Sequence, residues 1–155
     1  MIISLNIILT IIYSIFAIIY KKGVPESISE TSSFWPNSKL NIFTCFCIVT
    51  GLLLFYPWIS AGSYEYLAFL GIAGLFAAGS TPLFKEESFQ SKLHYTGGII
   101  SEVCSVLWLV LNGYWIFITS AFALAGILTI FFPKSWVFLF EILTMLCLYL
   151  VLLLM

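Results

Sequence analysis

Six long apolar stretches are the feature that most constrains this sequence. An α-helix rises about 1.5 Å per residue and the hydrocarbon layer is about 30 Å thick, so a stretch of about 20 apolar residues crosses a bilayer once. We therefore expect an all-α, polytopic membrane helical bundle of six transmembrane helices, forming a single domain over 1–155. The predicted spans are 1–20, 40–61, 66–84, 94–111, 114–132 and 136–155.

The charged residues are few and of only two kinds. Charged side chains make up 8% of the chain, against about 25% in soluble domains, and all of them are Lys or Glu. Without Arg, and with a formal net charge of -1, the chain lacks the basic face that nucleic-acid binding needs. The expected partner is the lipid bilayer, and nucleic acid is excluded.

The lysines predict an orientation in the membrane. The positive-inside rule places the lysine-bearing connections in the cytoplasm, which here leaves both termini outside. Because 1–20 lacks the basic start and the cleavage site of a signal peptide, we expect it to remain as a helix. The expected location is a bacterial inner (plasma) membrane. Lysine occurs only in the first, third and fifth connections, at Lys21, Lys22, Lys39, Lys85, Lys92 and Lys134.

Aromatic residues near the predicted span ends are typical of an interfacial belt. We expect these side chains to anchor the helix ends at the headgroup level, whereas Trp108 lies nearer a span interior. The predicted anchors are Trp35, Tyr56, Trp58, Tyr64, Tyr66, Tyr95, Tyr114, Trp115 and Trp136.

Two glutamates lie inside predicted spans. Glu102 falls in the fourth span and Glu141 in the sixth, both in the half of the membrane nearer the lysines. A carboxyl at mid-helix costs about 2.5–3.5 kcal/mol on insertion scales, so each is expected to face protein or a water-filled cavity. The sole histidine, His94, opens the fourth span on the same side, and Pro82 near the end of the third frees backbone carbonyls.

These polar groups predict a pocket that is open to the lysine side and built in part from the long loop between the first two spans. Such a pocket would bind a small polar, lipid-headgroup or protonatable ligand, and transport of that ligand is one use of it. No residue is expected to be catalytic in this interpretation. The candidate ligand-binding residues are Ser29, Thr81, His94, Ser101, Glu102 and Glu141.

Two other functions remain open. If the glutamates only bond neighbouring helices, the chain is a membrane interaction protein, such as an accessory subunit or immunity factor. It would then dock a membrane-protein partner or a second copy of itself. An intramembrane enzyme is the third alternative, because Ser101 with His94 and Glu102 is a conceivable nucleophile and base, although no G-x-S-x-G motif accompanies them.

Metal and cofactor sites are not expected. Zinc sites need three or more converging ligands, and the chain has one His and no Asp. Cys45 and Cys47 would point about 200° apart on a helix, and Cys104 and Cys147 also lie in spans, so all four are interpreted as apolar packing groups. No P-loop, dinucleotide or haem motif is present.

Two short patterns predict local structure. Ser27 and Glu30 have the spacing of a capping box, so a short helix is expected to begin there. The third and fourth spans carry small residues at helical spacing, which is typical of helix contacts in membranes. These residues are Gly71, Gly74, Ala78, Gly97, Ser101 and Ser105.

The order of features resembles a known family over residues 1 to about 115. A Pro-x-x-Ile-Ser loop (Pro25, Ile28, Ser29) follows the first helix, the second helix has Gly51, the third ends in Gly-Ser-Thr-Pro at 79–82, and His94 opens the fourth. This order resembles the DRAM-like group of six-helix membrane proteins and related small prokaryotic six-helix families of unassigned function.

The resemblance implies no catalytic activity and a link to membrane or lipid homeostasis. The chain departs from the family at Thr31 and Ser32, which stand where the family has Gly after the Ile-Ser pair. The family is also usually drawn with its first loop on the non-cytoplasmic side, opposite to the orientation that the lysines predict.

Overall fold

Each apolar stretch of the sequence forms a helix in the computed structural model, which describes residues 1–33, 41–81, 84–85 and 88–155. The all-α prediction is confirmed over these residues, while the predicted roles of Trp35, Lys39 and Pro82 fall outside them. Short 3-10 helices cover Ile28–Ser33, here called the loop helix, and Pro133–Ser135. The α-helices are α1 (Ile2–Lys21), α2 (Ile42–Ile59), α3 (Glu65–Gly79), α4 (Ser88–Leu111), α5 (Trp115–Phe131) and α6 (Trp136–Leu154).

Four of the helices are long and apolar enough to cross a membrane. They are α1, α2, α4 and α6, the last counted with the 3-10 turn before it. The apolar helices α3 and α5 are shorter, with 15 and 17 residues. The chain therefore has the helices of an integral membrane protein.

Helix α3 ends earlier than its predicted span of 66–84. Just after Gly79, the hydroxyls of Ser80 and Thr81 donate to helix carbonyls three residues back, at 2.9 and 2.6 Å. Such bonds use acceptors that a continuing helix would need. Ser80 and Thr81 therefore lie in the turn that follows the helix, although the prediction includes them in the span.

Helix α4 begins earlier than its predicted span of 94–111. Its first turns, from Ser88 to Lys92, are helical without being apolar. Hydropathy locates the apolar part of a helix and not the helix itself, so the prediction misses this polar start. As a result, His94 lies within the helix and not at its mouth.

The closest helix contact joins α3 to α4 through two glycines. A Cβ added to Gly74 would lie 2.6 Å from the carbonyl oxygen of Gly97, and one added to Gly97 would lie 2.7 Å from that of Gly74. Without side chains the two backbones approach each other directly. Four residues of the predicted stripes meet at this contact, namely Gly74, Ala78, Gly97 and Ser101, whereas Gly71 lies against Trp58 of α2.

Trp58 is predicted to be an interfacial anchor, and this prediction is wrong because the side chain is buried. Its side chain is 1% exposed and lies against Gly71, where an added Cβ would come within 2.5 Å of the indole. The ring also packs edge-on against Trp108 at 6.2 Å between centroids. The position of Trp58 near a span end predicts a side chain at the membrane interface. Because Gly71 has no side chain, however, there is space beside it inside the bundle, and the indole occupies this space. The described anchors Tyr56, Tyr64, Tyr66, Tyr95, Trp115 and Trp136 are exposed, and Tyr114 is half-buried.

The connections between helices gather at two opposite ends of the bundle. At one end the first and fifth connections are joined, because Ser135 Oγ donates to the Val24 carbonyl at 3.0 Å and Phe138 N–H to that of Glu26 at 3.1 Å. At the other end the amide of Asn112 accepts from Ser63 N–H at 2.9 Å and donates to its carbonyl at 3.2 Å. We call the first the lysine end, because the described lysines lie in the connections there or in the helix turns that border them.

Candidate functional site

A cavity of about 590 Å³ opens at the lysine end of the bundle. Its lining comes from the loop between α1 and α2 and from α2, α3, α4 and α6. Most of the wall is apolar, and the polar groups enter it from the loop and from α4 and α6. Five of the six candidate residues line this one cavity: Ser29, His94, Ser101, Glu102 and Glu141.

Glu141 holds the loop in place over the cavity. Its Oε2 accepts a hydrogen bond from the N–H of Ile28, the first residue of the loop helix, at 2.8 Å. On the other side of that residue, Tyr13 from α1 donates its hydroxyl to the Ile28 carbonyl at 3.1 Å and contacts the Thr31 hydroxyl. Glu141 therefore already has a structural partner, and one of its oxygens is used.

The loop helix begins where the sequence predicts, but its cap is different. A capping box would pair the side chains and backbone N–H groups of Ser27 and Glu30 reciprocally. Instead, Ser27 Oγ contacts Ser29 Oγ at 3.0 Å, and the Glu30 carboxylate accepts from the N–H of Glu26 at 2.6 Å. The predicted capping box is wrong because Glu30 reaches one residue further back.

Glu30 is also bound by a lysine at the mouth of the cavity. Lys21 Nζ lies 2.6 Å from each carboxylate oxygen of Glu30. Burial acts to raise the pKa of this carboxyl, but the hydrogen bonds from Lys21 and from Glu26 N–H outweigh burial and hold the pKa below its ordinary value. Lys85 adds a more distant positive charge. Glu30 is thus a paired carboxylate at the rim.

Glu102 projects into the cavity from α4. It lies close enough to Glu141 for the two groups to interact electrostatically. The hydroxyl of Thr144 faces it from α6, close enough to act as a weak hydrogen-bond donor to the carboxyl although the geometry is poor. A carboxyl in this position can accept hydrogen bonds from a bound molecule.

His94 is fixed by α3 at the wall of the cavity. Its side chain is 5% exposed, and its ring stacks on Phe84 at 3.8 Å between centroids. Nδ1 lies 3.1 Å from both the Ala78 carbonyl and the Thr81 hydroxyl. Because a carbonyl can only accept, Nδ1 carries the hydrogen, and Nε2 is the ring nitrogen with a free lone pair.

Thr81 lies behind His94 and is not part of the cavity lining. Its hydroxyl donates to the Ala78 carbonyl at 2.6 Å and touches the histidine ring, and its side chain is 2% exposed. Thr81 is therefore a positioning residue for His94, whereas the sequence interpretation places it in direct contact with a ligand.

Ser101 and Ser29 line the cavity in different ways. Ser101 lies on α4 beside the contact with α3, where its backbone N–H would be 2.8 Å from a Cβ on Gly74. Ser29 sits in the loop helix and contacts Ser27. Within the described residues, no hydrogen bond joins Ser101 to His94, so the pair needed by the enzyme interpretation is not formed.

Several residues that line the cavity are not among the candidate ligand-binding residues predicted from the sequence. Gly98 lies beside Gly97 in α4, and a Cβ added to Gly98 would meet nothing within 4 Å. Tyr95, Ile99 and Trp136 form the outer edge of the cavity. In the sequence, the adjacent glycines Gly97 and Gly98 are a sign of this open space. The contact with α3 needs only Gly97, so the second glycine indicates another feature of α4.

Metal ligation has no basis in the described part of the chain. No group of three or more His, Cys, Asp or Glu side chains comes together there. The four cysteines are free thiols, with Cys47, Cys104 and Cys147 buried and Cys45 half-buried.

The chain matches no known protein-family model, no curated protein and no solved structure. The resemblance to the DRAM-like group therefore stays a prediction from short motifs. Of the motif residues, Ile28 is held by Glu141, and Ser29 and His94 line the cavity. The function has to be argued from this geometry.

Proposed function

We propose that this chain is a six-span integral membrane protein that binds a small ligand in the cavity at its lysine end, without catalysis. The observation that supports ligand binding most directly is Glu102, a carboxyl in the cavity wall that can accept several hydrogen bonds and has the poorly aligned hydroxyl of Thr144 as its neighbour. Buried polar groups are normally paired, so this arrangement favours an additional partner. A ligand that donates hydrogen bonds would supply it.

The six-span arrangement is supported by where the connections lie. Ser63, before α3, is at the end opposite to the lysines, whereas Lys85, after α3, is at the lysine end. Helix α3 therefore runs the length of the bundle despite its 15 residues. Helix α5 likewise joins Asn112 at one end to Lys134 at the other. We propose that both cross the membrane, with the lysine end in the cytoplasm of a bacterial cell.

The two glutamates have different roles in this proposal. Glu102 binds the ligand, and His94 offers Nε2 as a second acceptor. Glu141 is a positioning residue that holds the loop across the cavity through Ile28. The alternative that the carboxyls serve only to join parts of the bundle is favoured for Glu141 by this bond, whereas for Glu102 it rests on the poorly aligned Thr144 hydroxyl alone.

Native mass spectrometry of the protein extracted from its own membrane tests this proposal. We expect the wild-type spectrum to contain a species with one bound small molecule, and Glu102→Gln to reduce its fraction by at least about tenfold, because a charged acceptor is lost. Glu65→Gln, which removes an exposed carboxylate at the opposite end, is the matched control and should retain the species. A spectrum without a bound molecule, or equal occupancy in Glu102→Gln, contradicts the proposal.

A further inference from the structure

The cavity is open to the side of the bundle as well as to its end. Tyr95 and Ile99 on α4, and Trp136 on α6, line the cavity and are also exposed at the outer surface by 58%, 63% and 56%. A side chain can do both only at the edge of an opening. These residues therefore mark a gap between α4 and α6, which we call the lateral gap.

The lateral gap reaches the depth of Glu102. Ile99 precedes Glu102 by three residues on α4, which is about 4.5 Å along the helix axis. At this depth the outer surface of a spanning helix faces hydrocarbon. A molecule dissolved in the bilayer can therefore approach Glu102 without passing through water.

Gly98 keeps the lateral gap open. The Cβ of any larger residue would project into empty space there, since no atom lies within 4 Å. The neighbouring Gly97 is turned from it by about 100° around the helix axis and faces α3. The lateral gap is thus separate from the tight packing that holds α4 in place.

The lining favours a cationic head and an apolar tail. The lining has four carboxyl groups, Glu26 and Glu30 from the loop and Glu102 and Glu141 from the helices. Lys85, the one lysine among its described lining residues, stands at the mouth beside Phe84, with 5.9 Å from Nζ to the ring centroid. Deeper in, the wall is formed by apolar side chains such as Phe46, Leu54 and Leu148. A volume of about 590 Å³ lies within the usual range of about 300–1,000 Å³ for ligand pockets.

We propose that the cavity binds a single-chain amphiphile with a primary amine head, which arrives from the bilayer through the lateral gap. The ammonium group donates hydrogen bonds to Glu102, and the acyl or alkyl chain lies along the apolar wall. This inference rests on the proposed function and adds to it the class of ligand and its route.

Thermal unfolding of the purified full chain in dodecyl maltoside, titrated with dodecylamine, tests the proposal. We expect a saturable rise in the unfolding midpoint, with at least about tenfold weaker apparent affinity in Glu102→Gln. Dodecanoate, which has the same tail and an anionic head, should give no such rise. Ethylamine, which has the head without the tail, should also give none at the same concentrations.

The route is tested by filling the lateral gap. Gly98→Phe should abolish the response to dodecylamine, while Gly126→Phe, at an exposed glycine on α5 that also has nothing within 4 Å, should keep it. Val137→Trp fills the gap from α6 and gives a second, independent variant if Gly98→Phe does not fold. A full response in a folded Gly98→Phe or Val137→Trp protein overturns the lateral route.

The remaining outcomes separate this inference from the proposed function. An equal response to ethylamine means that a soluble amine enters through the mouth, and an equal response to dodecanoate means that the head is not selected by charge. Either result overturns the inference. If dodecylamine has no effect while native mass spectrometry still shows a bound molecule that depends on Glu102, the inference fails and the proposed function stands.

Discussion

At the scale of single residues, the two intramembrane glutamates differ in how their oxygens are used. The sequence identifies both, because a carboxyl in an apolar stretch is costly and therefore conspicuous. It cannot show that Glu141 bonds to Ile28, since the two residues are far apart in the chain and meet only through tertiary structure. Nor can it show that Thr81 serves His94 from behind.

Removing the carboxyl of Glu141 should loosen the loop. Glu141→Ala leaves the Ile28 N–H without its acceptor, so we expect the free energy of unfolding to fall by about 1–3 kcal/mol. Glu141→Gln keeps an amide oxygen that can accept the same bond, so its free energy of unfolding should fall much less. Unfolding in mixed detergent micelles measures both, and an equal loss in the two variants would show that the bond to Ile28 is not what matters.

The pair formed by Lys21 and Glu30 should make stability depend on pH. The pKa of Glu30 is held below its ordinary value of 4.5, so the stabilising effect is present above that value and is lost as the pH falls through the lowered pKa. The pair is partly exposed, so its contribution is under about 1 kcal/mol. The difference in unfolding free energy between wild-type and Glu30→Gln should shrink between pH 7 and pH 3. A constant difference would contradict the pairing, and Glu65→Gln controls for the general effect of acid.

At the scale of elements, the sequence predicts a feature of the helices correctly when a single property, such as apolar length, determines it. The prediction is wrong when a second property, such as local hydrogen bonding, acts against the first. Apolar length alone gives the number and order of the α-helices. Their ends depend also on local hydrogen bonds, so the turn after Gly79 and the polar start of α4 at Ser88 are missed. Similarly, Trp58 satisfies the pattern of an interfacial anchor, but the space above Gly71 buries it.

The two adjacent glycines of α4 should respond oppositely to alanine. Gly97→Ala places a Cβ within 2.7 Å of the Gly74 carbonyl oxygen, so we expect a loss of about 1–3 kcal/mol as α3 and α4 are forced apart. Gly98→Ala meets no atom and removes a flexible residue from a helix, so it should be neutral or stabilising by up to about 1 kcal/mol. Unfolding in mixed micelles measures both, and similar losses would show that the α3–α4 contact is looser than described.

At the scale of the whole molecule, the sequence indicates a polar pocket at the lysine end but not its shape. Its polar lining follows from residues that are unusual in lipid, such as Glu102 and His94. The apolar wall and the lateral gap depend on how far α4 and α6 diverge, and every helix surface in a membrane protein is apolar, so hydropathy cannot locate a gap. Only the second glycine, Gly98, hints at it.

The orientation can be tested with two engineered cysteines, one at each end. In a protein whose half-buried Cys45 is replaced by Ala, we expect Glu65→Cys to react with a membrane-impermeant maleimide in intact cells. Lys134→Cys should react only after the membrane is opened, because we propose that the lysine end is cytoplasmic. Both positions are exposed in the structure. Labelling of Lys134→Cys in intact cells would reverse the orientation.

The contact between Gly74 and Gly97 also decides which parts of the protein can move. It locks α4 to α3, so α4 can neither rotate nor slide without a collision of backbones. Helix α6 has no such lock on α4, and it carries α5 on its outer side. At the lysine end, however, α6 is tied to the loop between α1 and α2, through Glu141 and Ile28 and through Phe138 and Glu26. Widening the lateral gap to admit a bulkier ligand would therefore have to shift α6 together with this loop, while α3 and α4 stay joined.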